Sequence, residues 1–266
     1  MRVSTTATLP AHHIKHLQSL NYHFFGLPFL LLQRQDGTST GTALWLAAQC
    51  LSAYLATIHK SISPRHTRPR VLELGSGIGL TALAMNSFHW DVLATDTAHT
   101  ICSVLAPNIA SNHPTSSRND AIIQVRELDW LVPPESWDWG NPVAVASSKP
   151  CLSANLTRVC NPVLQPPFDL IVSSDTIYAV ELVQPLLRAI HTAVIASGSP
   201  PVYLGIERRD SAVIDRALSE AEDVWGFTVT RVGHRSVSKA MKKGGLKWKK
   251  EDWDGVEIWR LKLKNV

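Results

Sequence analysis

The chain has 266 residues, 45% of them hydrophobic, and a mean hydropathy of zero. This is enough apolar material for one sizeable core, so we expect one domain with additions. No apolar run has the length of a membrane span and the first residues lack a signal-peptide apolar region, so we expect a soluble protein outside the membrane. A net charge of +4 at pH 7 does not by itself indicate nucleic-acid binding.

The cysteines and histidines indicate neither disulfides nor a metal site. No two cysteines have the CxxC spacing, which argues against a disulfide framework or structural zinc and favours a reducing compartment, the cytoplasm, the nucleus or both. His12 and His16 have helical i, i+4 spacing but no third candidate ligand nearby, so we predict no metal. The four cysteines are Cys50, Cys102, Cys151 and Cys160.

In chain order, the first segment with structure is Leu20 to Gln33, which is rich in aromatic and aliphatic residues. We expect an extended, partly buried lead-in within an N-terminal extension, residues 1–40, that is partly flexible. The domain proper is predicted to span residues 41–266. From Ala43 to His59 apolar residues recur at the spacing of one helical face, which predicts a helix packed on that domain.

The most informative local feature is an apolar strand, Val71 to Leu74, that breaks into a turn with glycine at positions 75, 77 and 79. Glycines let a backbone turn sharply and approach a ligand closely. The stretch Leu80 to Met85 can begin a helix whose N-terminus faces the same point. A nucleotide-like ligand is predicted at this turn.

Strands and helices alternate from residue 70 to about residue 226, which predicts a mainly parallel, doubly wound sheet. Two further strands, Phe227 to Val232 and Gly255 to Leu263, are separated by a short basic stretch without an amphipathic crossover helix, so we expect a solvated antiparallel hairpin. The other predicted strands are Trp90 to Asp96, Ile122 to Trp130, Phe168 to Asp175 and Val202 to Glu207, and the predicted helices are Glu181 to Ala196 and Asp210 to Trp225.

The segment 131–167 contains several prolines together with Trp137 and Trp139, and is too long for an ordinary connection. We interpret it as an insertion. It could cover a substrate entrance or be disordered, and the composition favours disorder.

Residues that end successive strands are predicted to converge on one crevice, outside the carboxyl ends of the strands. Asp96 lies about twenty residues past the glycines, where a carboxylate can accept hydrogen bonds from both ribose hydroxyls of an adenosine. Its alternative role is that of a helix cap. Position 80 is Leu80, so the GxGxxG of dinucleotide sites is not met, while the Glu73 carboxylate can act on the ammonium group of a methionine moiety. These features favour S-adenosylmethionine (SAM).

As a set, these residues resemble the methyltransferase-16 group, the METTL-type protein-lysine methyltransferases of the class I, seven-β-strand fold. The resemblance covers roughly residues 40 to 264. It rests on Gly41-Thr42-Ala43-Leu44-Trp45, Leu72-Glu73-Leu74-Gly75-Ser76-Gly77-Ile78-Gly79-Leu80, Thr95-Asp96, Glu127-Leu128-Asp129-Trp130 and Ser174-Asp175-Thr176-Ile177-Tyr178. It implies a Rossmann-like α/β sheet of seven strands with an antiparallel C-terminal strand.

The resemblance also implies site roles. Trp45 and Trp130 would flank the cofactor, Asp96 would hold the ribose, and Ser174 would lie beside the sulfonium. The methionine end would be lined by Gly75, Ser76 and Gly77. Asp175 and Tyr178 match the family's DxxY motif, where they would shape the pocket of the target amine.

A physical argument supports the DxxY motif independently. A lysine ammonium, with a reference pKa of about 10.4, cannot attack a methyl group before it loses a proton, so the site must hold and desolvate it. The Asp175 carboxylate would anchor the amine, and Tyr178 would offer an aromatic wall and a hydroxyl. Alternatively Asp175 is a helix cap and Tyr178 a core aromatic. Thr176 and Ile177 replace the prolines of the [DN]PPY motif, which disfavours a base or amide substrate.

Two polar segments are possible contact surfaces. The segment 239–250 is rich in lysine and is interpreted either as a solvated hairpin or as a docking surface for an acidic or nucleic-acid-associated partner. The turn from Glu207 to Asp210 either touches the substrate or forms local ion pairs.

The sequence therefore predicts a SAM-dependent protein-lysine methyltransferase, expected to be a monomer, acting on a specific protein. Because several members of the family act on translation factors or nucleic-acid-associated proteins, the resemblance suggests a substrate of that kind. The alternatives are a non-catalytic binding module with a methyltransferase fold and a methyltransferase for nucleic acids or small molecules.

Overall fold

The computed structural model describes residues 8–34, 40–63, 68–112, 121–148 and 162–264. The strands in these ranges are β1 (Ser19–Phe24), β2 (Leu27–Leu32), β3 (Arg70–Leu74), β4 (Asp91–Asp96), β5 (Ile123–Leu128), β6 (Ala144–Ala146), β7 (Leu170–Ser174), β8 (Val202–Glu207), β9 (Phe227–Arg231) and β10 (Val256–Leu263). The α-helices are α1 (Ala11–Ile14), α2 (Leu46–Ile62), α3 (Leu80–Asn86), α4 (Ala98–Thr100), α5 (Ala106–Asn112), α6 (Val180–Ala196), α7 (Ser211–Asp223) and α8 (His234–Lys243), and a π-helical turn, Ile101–Leu105, joins α4 to α5.

The main sheet has eight strands in the order β6-β5-β4-β3-β7-β8-β10-β9. Strands β3 to β8 pair in parallel, and β10 pairs antiparallel with both β8 and β9. This confirms the predicted α/β fold with an antiparallel C-terminal strand. The eighth strand is β6, a three-residue edge strand contributed by the predicted insertion.

Both faces of the sheet are covered, as parallel sheets require. Side chains along β3 alternate between two buried clusters, with Val71 in the cluster that contains α2 and α3 and Leu72 in the one that contains α6 and α7. The carboxyl ends of the central strands are therefore held by packing on both faces of the sheet. No helix in the described ranges is both long and apolar enough to cross a membrane.

The described parts of the 131–167 insertion pack against the edge of the sheet, so the preference for disorder is wrong for them. Arg126 on β5 is 1% exposed, and its guanidinium donates to the backbone carbonyls of Trp139, Asn141 and Leu164. A buried guanidinium needs such acceptors, and the inserted chain supplies them. Residues 149–161 lie outside the described ranges.

The N-terminal lead-in forms an antiparallel hairpin, β1 and β2. Two asparagines of α5 bind the outer edge of this hairpin. The Asn108 side chain donates to the Leu32 carbonyl and accepts from the Leu32 N–H, and Asn112 makes the same pair of bonds with Leu30. These bonds satisfy backbone N–H and C=O groups on the edge of β2 that would otherwise be open to pairing with another strand.

The basic stretch between β9 and β10 is not a simple hairpin link, which corrects the sequence prediction. It contains α8, whose Val237, Ala240 and Met241 are buried against α2. These three positions have the i, i+3, i+4 spacing of a helical face. Antiparallel pairing of the flanking strands is confirmed.

Candidate active site

A cavity of about 240 Å³ lies at the carboxyl ends of β3, β4 and β7. This is several times the ~30 Å³ that one water molecule occupies in the liquid, so the cavity can hold an organic ligand. Nine of the ten predicted site residues line it: Trp45, Gly75, Ser76, Gly77, Asp96, Trp130, Ser174, Asp175 and Tyr178.

The glycine turn forms one wall because its backbone adopts conformations that favour glycine. Gly75 has φ +71°, and a Cβ there would lie 2.7 Å from Thr176 Cγ2 and 3.2 Å from the Trp130 ring. No side chain fits in that space without displacing a neighbour. The Ser76 hydroxyl accepts a hydrogen bond from the Thr95 N–H at 3.1 Å, which ties the turn to β4.

Asp96, the last residue of β4, is oriented toward the turn. Its Oδ2 accepts the Gly77 N–H at 2.9 Å, and its Oδ1 accepts the Thr97 N–H at 2.8 Å. Oδ1 also accepts the Thr97 hydroxyl at 3.4 Å, whereas Oδ2 can accept a second hydrogen bond. Burial raises the pKa of Asp96, and the hydrogen bonds from Gly77 and Thr97 oppose that rise.

Glu73 is the predicted site residue that does not line the cavity. It is 1% exposed and lies beneath the turn, so its position does not favour direct contact with a ligand. Burial raises the pKa of Glu73 to about 8, opposed by hydrogen bonds from the Ser76 and Thr81 side chains. Its Oε2 has no hydrogen-bond partner among the described residues.

Trp130 packs against the opposite side of the glycine turn. Two atoms of its ring lie 3.2 Å from the position that a Cβ on Gly75 would occupy. Its indole N–H is buried and has no acceptor among the described residues. The cavity is therefore bordered by a buried donor that a polar ligand could satisfy.

Asp175, which follows β7, has a side chain that is only 2% exposed and a backbone φ of +55°. Its Oδ2 accepts the Ala47 N–H at 2.9 Å, and its Oδ1 accepts the Glu207 N–H at 3.2 Å and pairs with the Arg209 guanidinium at 3.1 Å. Burial raises the pKa of Asp175 to about 6, although the Arg209 charge lowers it.

At the mouth of the cavity, charged and aromatic side chains meet. The Arg209 guanidinium lies 4.2 Å from the centroid of the Trp45 ring and also pairs with Glu207 at 3.2 Å. Tyr178 is 46% exposed, so it is not a core aromatic. We call Trp45, Asp175, Glu207 and Arg209 the entrance cluster.

The sequence did not identify Arg209 as a residue of the entrance cluster. The turn that contains it is predicted either to touch the substrate or to form local ion pairs, and ion pairs do form: Arg209 with Glu207 and Arg208 with Glu257. Asp210 caps α7. The contact of Arg209 with Trp45 joins two segments far apart in the chain. No local pattern signals such a contact.

Comparisons with known proteins find similarity to lysine methyltransferases. The sequence profile of the lysine methyltransferase family matches residues 28–139. The chain is 27% identical over 199 residues to protein-lysine N-methyltransferase EFM6 of Saccharomyces cerevisiae, covering 71% of this chain and 74% of that protein. It is 29% identical over 91 residues to methyltransferase-like protein 22 of Mus musculus, covering 34% of this chain and 22% of the mouse protein.

Among solved structures, the chain is similar to a putative SAM-dependent methyltransferase from Streptococcus mutans. The TM-score is 0.50 at 10% identity, with 92% of this chain and 56% of the bacterial chain covered. At this identity the likeness concerns the fold, which is that of class I methyltransferases. Together with the family profile and the yeast relative, it indicates a SAM-dependent methyltransferase that is similar to the lysine methyltransferase family.

Proposed function

We propose that this protein transfers methyl groups from SAM to a lysine ε-amine of a specific protein. One observation carries the proposal. A cavity walled by a glycine turn and Asp96 opens at a mouth formed by the buried Asp175 carboxylate and the exposed Tyr178 ring. The first pair of features suits an adenosine-containing cofactor, and the second suits a cationic amine.

The residues present fit SAM. Gly75 and Gly77 leave the wall free of side chains, and Asp96 Oδ2 has acceptor capacity left for a ribose hydroxyl. The Trp130 N–H, which has no partner among the described residues, calls for an acceptor. Trp45 and Ser174 complete the lining toward the mouth.

The chain's own residues would prepare the amine. Asp175 and Glu207 carry two negative charges at the mouth against the one positive charge of Arg209, which pairs with both, and this excess attracts a lysine ammonium. Tyr178 provides an aromatic face for its alkyl stem. Entry into the cavity strips water from the amine and lowers its pKa, which favours the neutral nucleophile. When bound, SAM supplies an electrophilic methyl group on a sulfonium. Orientation then accounts for most of the rate.

The proposal extends to the substrate, the oligomeric state and the compartment. The yeast relative is named a protein-lysine N-methyltransferase, which supports a protein acceptor here. We propose an acidic, translation-related or nucleic-acid-associated protein that docks on the basic segment 239–250. We further propose that the enzyme is a monomer in the cytoplasm, the nucleus or both. All six lysines of this segment are exposed: Lys239, Lys242, Lys243, Lys247, Lys249 and Lys250.

The proposal is tested by incubating the purified protein and an Asp175→Asn variant with tritiated SAM and cell lysate. We expect a discrete labelled band that protease removes, nuclease leaves intact and the variant does not produce. A band sensitive only to nuclease would select a nucleic-acid methyltransferase. Absence of both labelling and SAM binding by calorimetry would select a non-catalytic module.

A further inference from the structure

Lys15 is a lysine of this chain that lies at the entrance cluster. Its Nζ is 3.8 Å from the centroid of the Trp45 ring, the same ring that Arg209 contacts. Trp45 also lines the cavity. A lysine ammonium therefore already occupies the position at which a substrate lysine would approach.

The backbone around Lys15 is fixed in place. The Gln33 side-chain amide donates to the carbonyls of Ile14, at 2.6 Å, and of Leu17, at 2.5 Å. Gln49 on α2 accepts the Ala11 N–H at 2.8 Å, which fastens α1 beside the start of that helix. The backbone is thus held on both sides of residue 15, which keeps the Lys15 side chain beside Trp45.

The chemistry around Lys15 matches that proposed for a target lysine. It is half-buried, lies against an aromatic face, and feels the charges of Asp175 and Glu207. Burial lowers the pKa of Lys15, as does the Arg209 charge, while the two carboxylates raise it. A lowered pKa increases the fraction of neutral amine.

We propose that Lys15 is a methyl acceptor of this enzyme's own reaction, methylated within the same molecule. This inference rests on the proposed function. The ammonium first gives a proton to water; its Nζ then forms the new N–CH3 bond as the S–CH3 bond of SAM breaks, and the sulfonium becomes a neutral thioether. The methylated amine keeps its positive charge at neutral pH and can return to the Trp45 ring.

The test uses the purified full-length protein alone, incubated with SAM that carries a trideuteromethyl group, followed by digestion and tandem mass spectrometry. We expect label on Lys15, with a fraction labelled per unit time that does not change with protein concentration. Lys15→Arg, which keeps the cation over Trp45, should lower total incorporation at least tenfold. The matched control Lys60→Arg, at an exposed lysine of α2, should leave it unchanged.

The outcomes separate this inference from the proposed function. No label on Lys15 here, together with a labelled protein band in the lysate assay described above, would overturn the inference alone, and label in neither assay would overturn both. A labelled fraction that rises in proportion to protein concentration would show transfer between molecules and would overturn the intramolecular claim.

Discussion

The Asp175 carboxylate joins two elements that are distant in the sequence. It accepts the Ala47 N–H from the first turn of α2 and the Glu207 N–H at the end of β8. Because the first N–H groups of a helix have no partner within the helix, this carboxylate acts as an acceptor for α2. The residue we place at the amine pocket therefore also stabilises the fold.

Replacement of Asp175 should affect stability and turnover to different degrees. Asp175→Ala leaves two backbone donors without an acceptor, so we expect it to lower the free energy of unfolding by about 2–4 kcal/mol. Asp175→Asn keeps one acceptor oxygen and should cost roughly half as much. Both should reduce turnover about a hundredfold or more. Urea denaturation measures the change in stability, and initial rates measure the change in turnover. Full activity of a folded Asp175→Asn protein would exclude the proposed role.

Glu73 should make stability depend on pH. Its folded-state pKa of about 8 lies above that of an unfolded glutamate, so the folded state retains this proton. The resulting stability is present at pH 4 and is lost as pH rises toward 8, by up to about 1.4 kcal/mol per pH unit.

Glu73→Gln should flatten this dependence, measured as urea midpoints at pH 5.5, 7 and 8.5. The control Glu251→Gln, at an exposed position, should retain the slope of the unaltered protein. Identical slopes for Glu73→Gln and the unaltered protein would show that Glu73 does not hold its proton in the folded state.

Gly75→Ala should abolish SAM binding. The added methyl would meet Thr176 Cγ2 at 2.7 Å in a backbone conformation that alanine disfavours, so the turn must shift. Calorimetric titration with SAM should show at least a hundredfold loss of affinity. Gly255→Ala is the matched control, because nothing lies within 4 Å of its added Cβ. Unchanged affinity in Gly75→Ala would place the cofactor elsewhere.

Among the elements, α5 links the N-terminal hairpin to the glycine turn. The buried Asn108 side chain donates to the Ile78 carbonyl in that turn and also bonds with Leu32 on β2. Asn112 bonds with the hairpin but makes no bond to the turn among the described residues. Both asparagines attach the hairpin, but only Asn108 also supports the glycine turn, so comparing variants of the two distinguishes these roles.

Asn108→Asp, which keeps the shape but loses both donated bonds, should lower the free energy of unfolding by about 2 kcal/mol or more. It should also weaken SAM binding several-fold, because the Ile78 carbonyl loses its donor. Asn112→Asp should reduce stability less and leave SAM affinity unchanged. Equal effects of the two variants on SAM affinity would show that the Ile78 contact does not support the turn.

The elements differ in how far the sequence predicts them. The strand before the glycine turn and the helices α6 and α7 have strong apolar periodicity and were predicted within a few residues. Helix α8 was missed because its lysines were read as a charge run, although Val237, Ala240 and Met241 carry a helical spacing. Strand β6 has only three residues, and its pairing with β5 is a tertiary contact without a sequence signal.

For the whole molecule, strand and helix alternation determines the fold class, and the fold brings the strand ends together. This is why nine of the predicted site residues could be named from the sequence and were found around one cavity. The position of Glu73 below the turn, and the contacts of Lys15 and Arg209 with Trp45, could not be predicted. They depend on how side chains from separate segments pack.

The central claim is that the protein methylates a lysine of another protein at this cavity. The most direct measurement is tandem mass spectrometry of a cell lysate after incubation with the purified enzyme and trideuteromethyl SAM. The account predicts a trideuteromethyl group on the ε-amine of a lysine in a discrete protein, absent when Tyr178→Ala replaces the enzyme. Label confined to nucleic acid or to side chains other than lysine would contradict it.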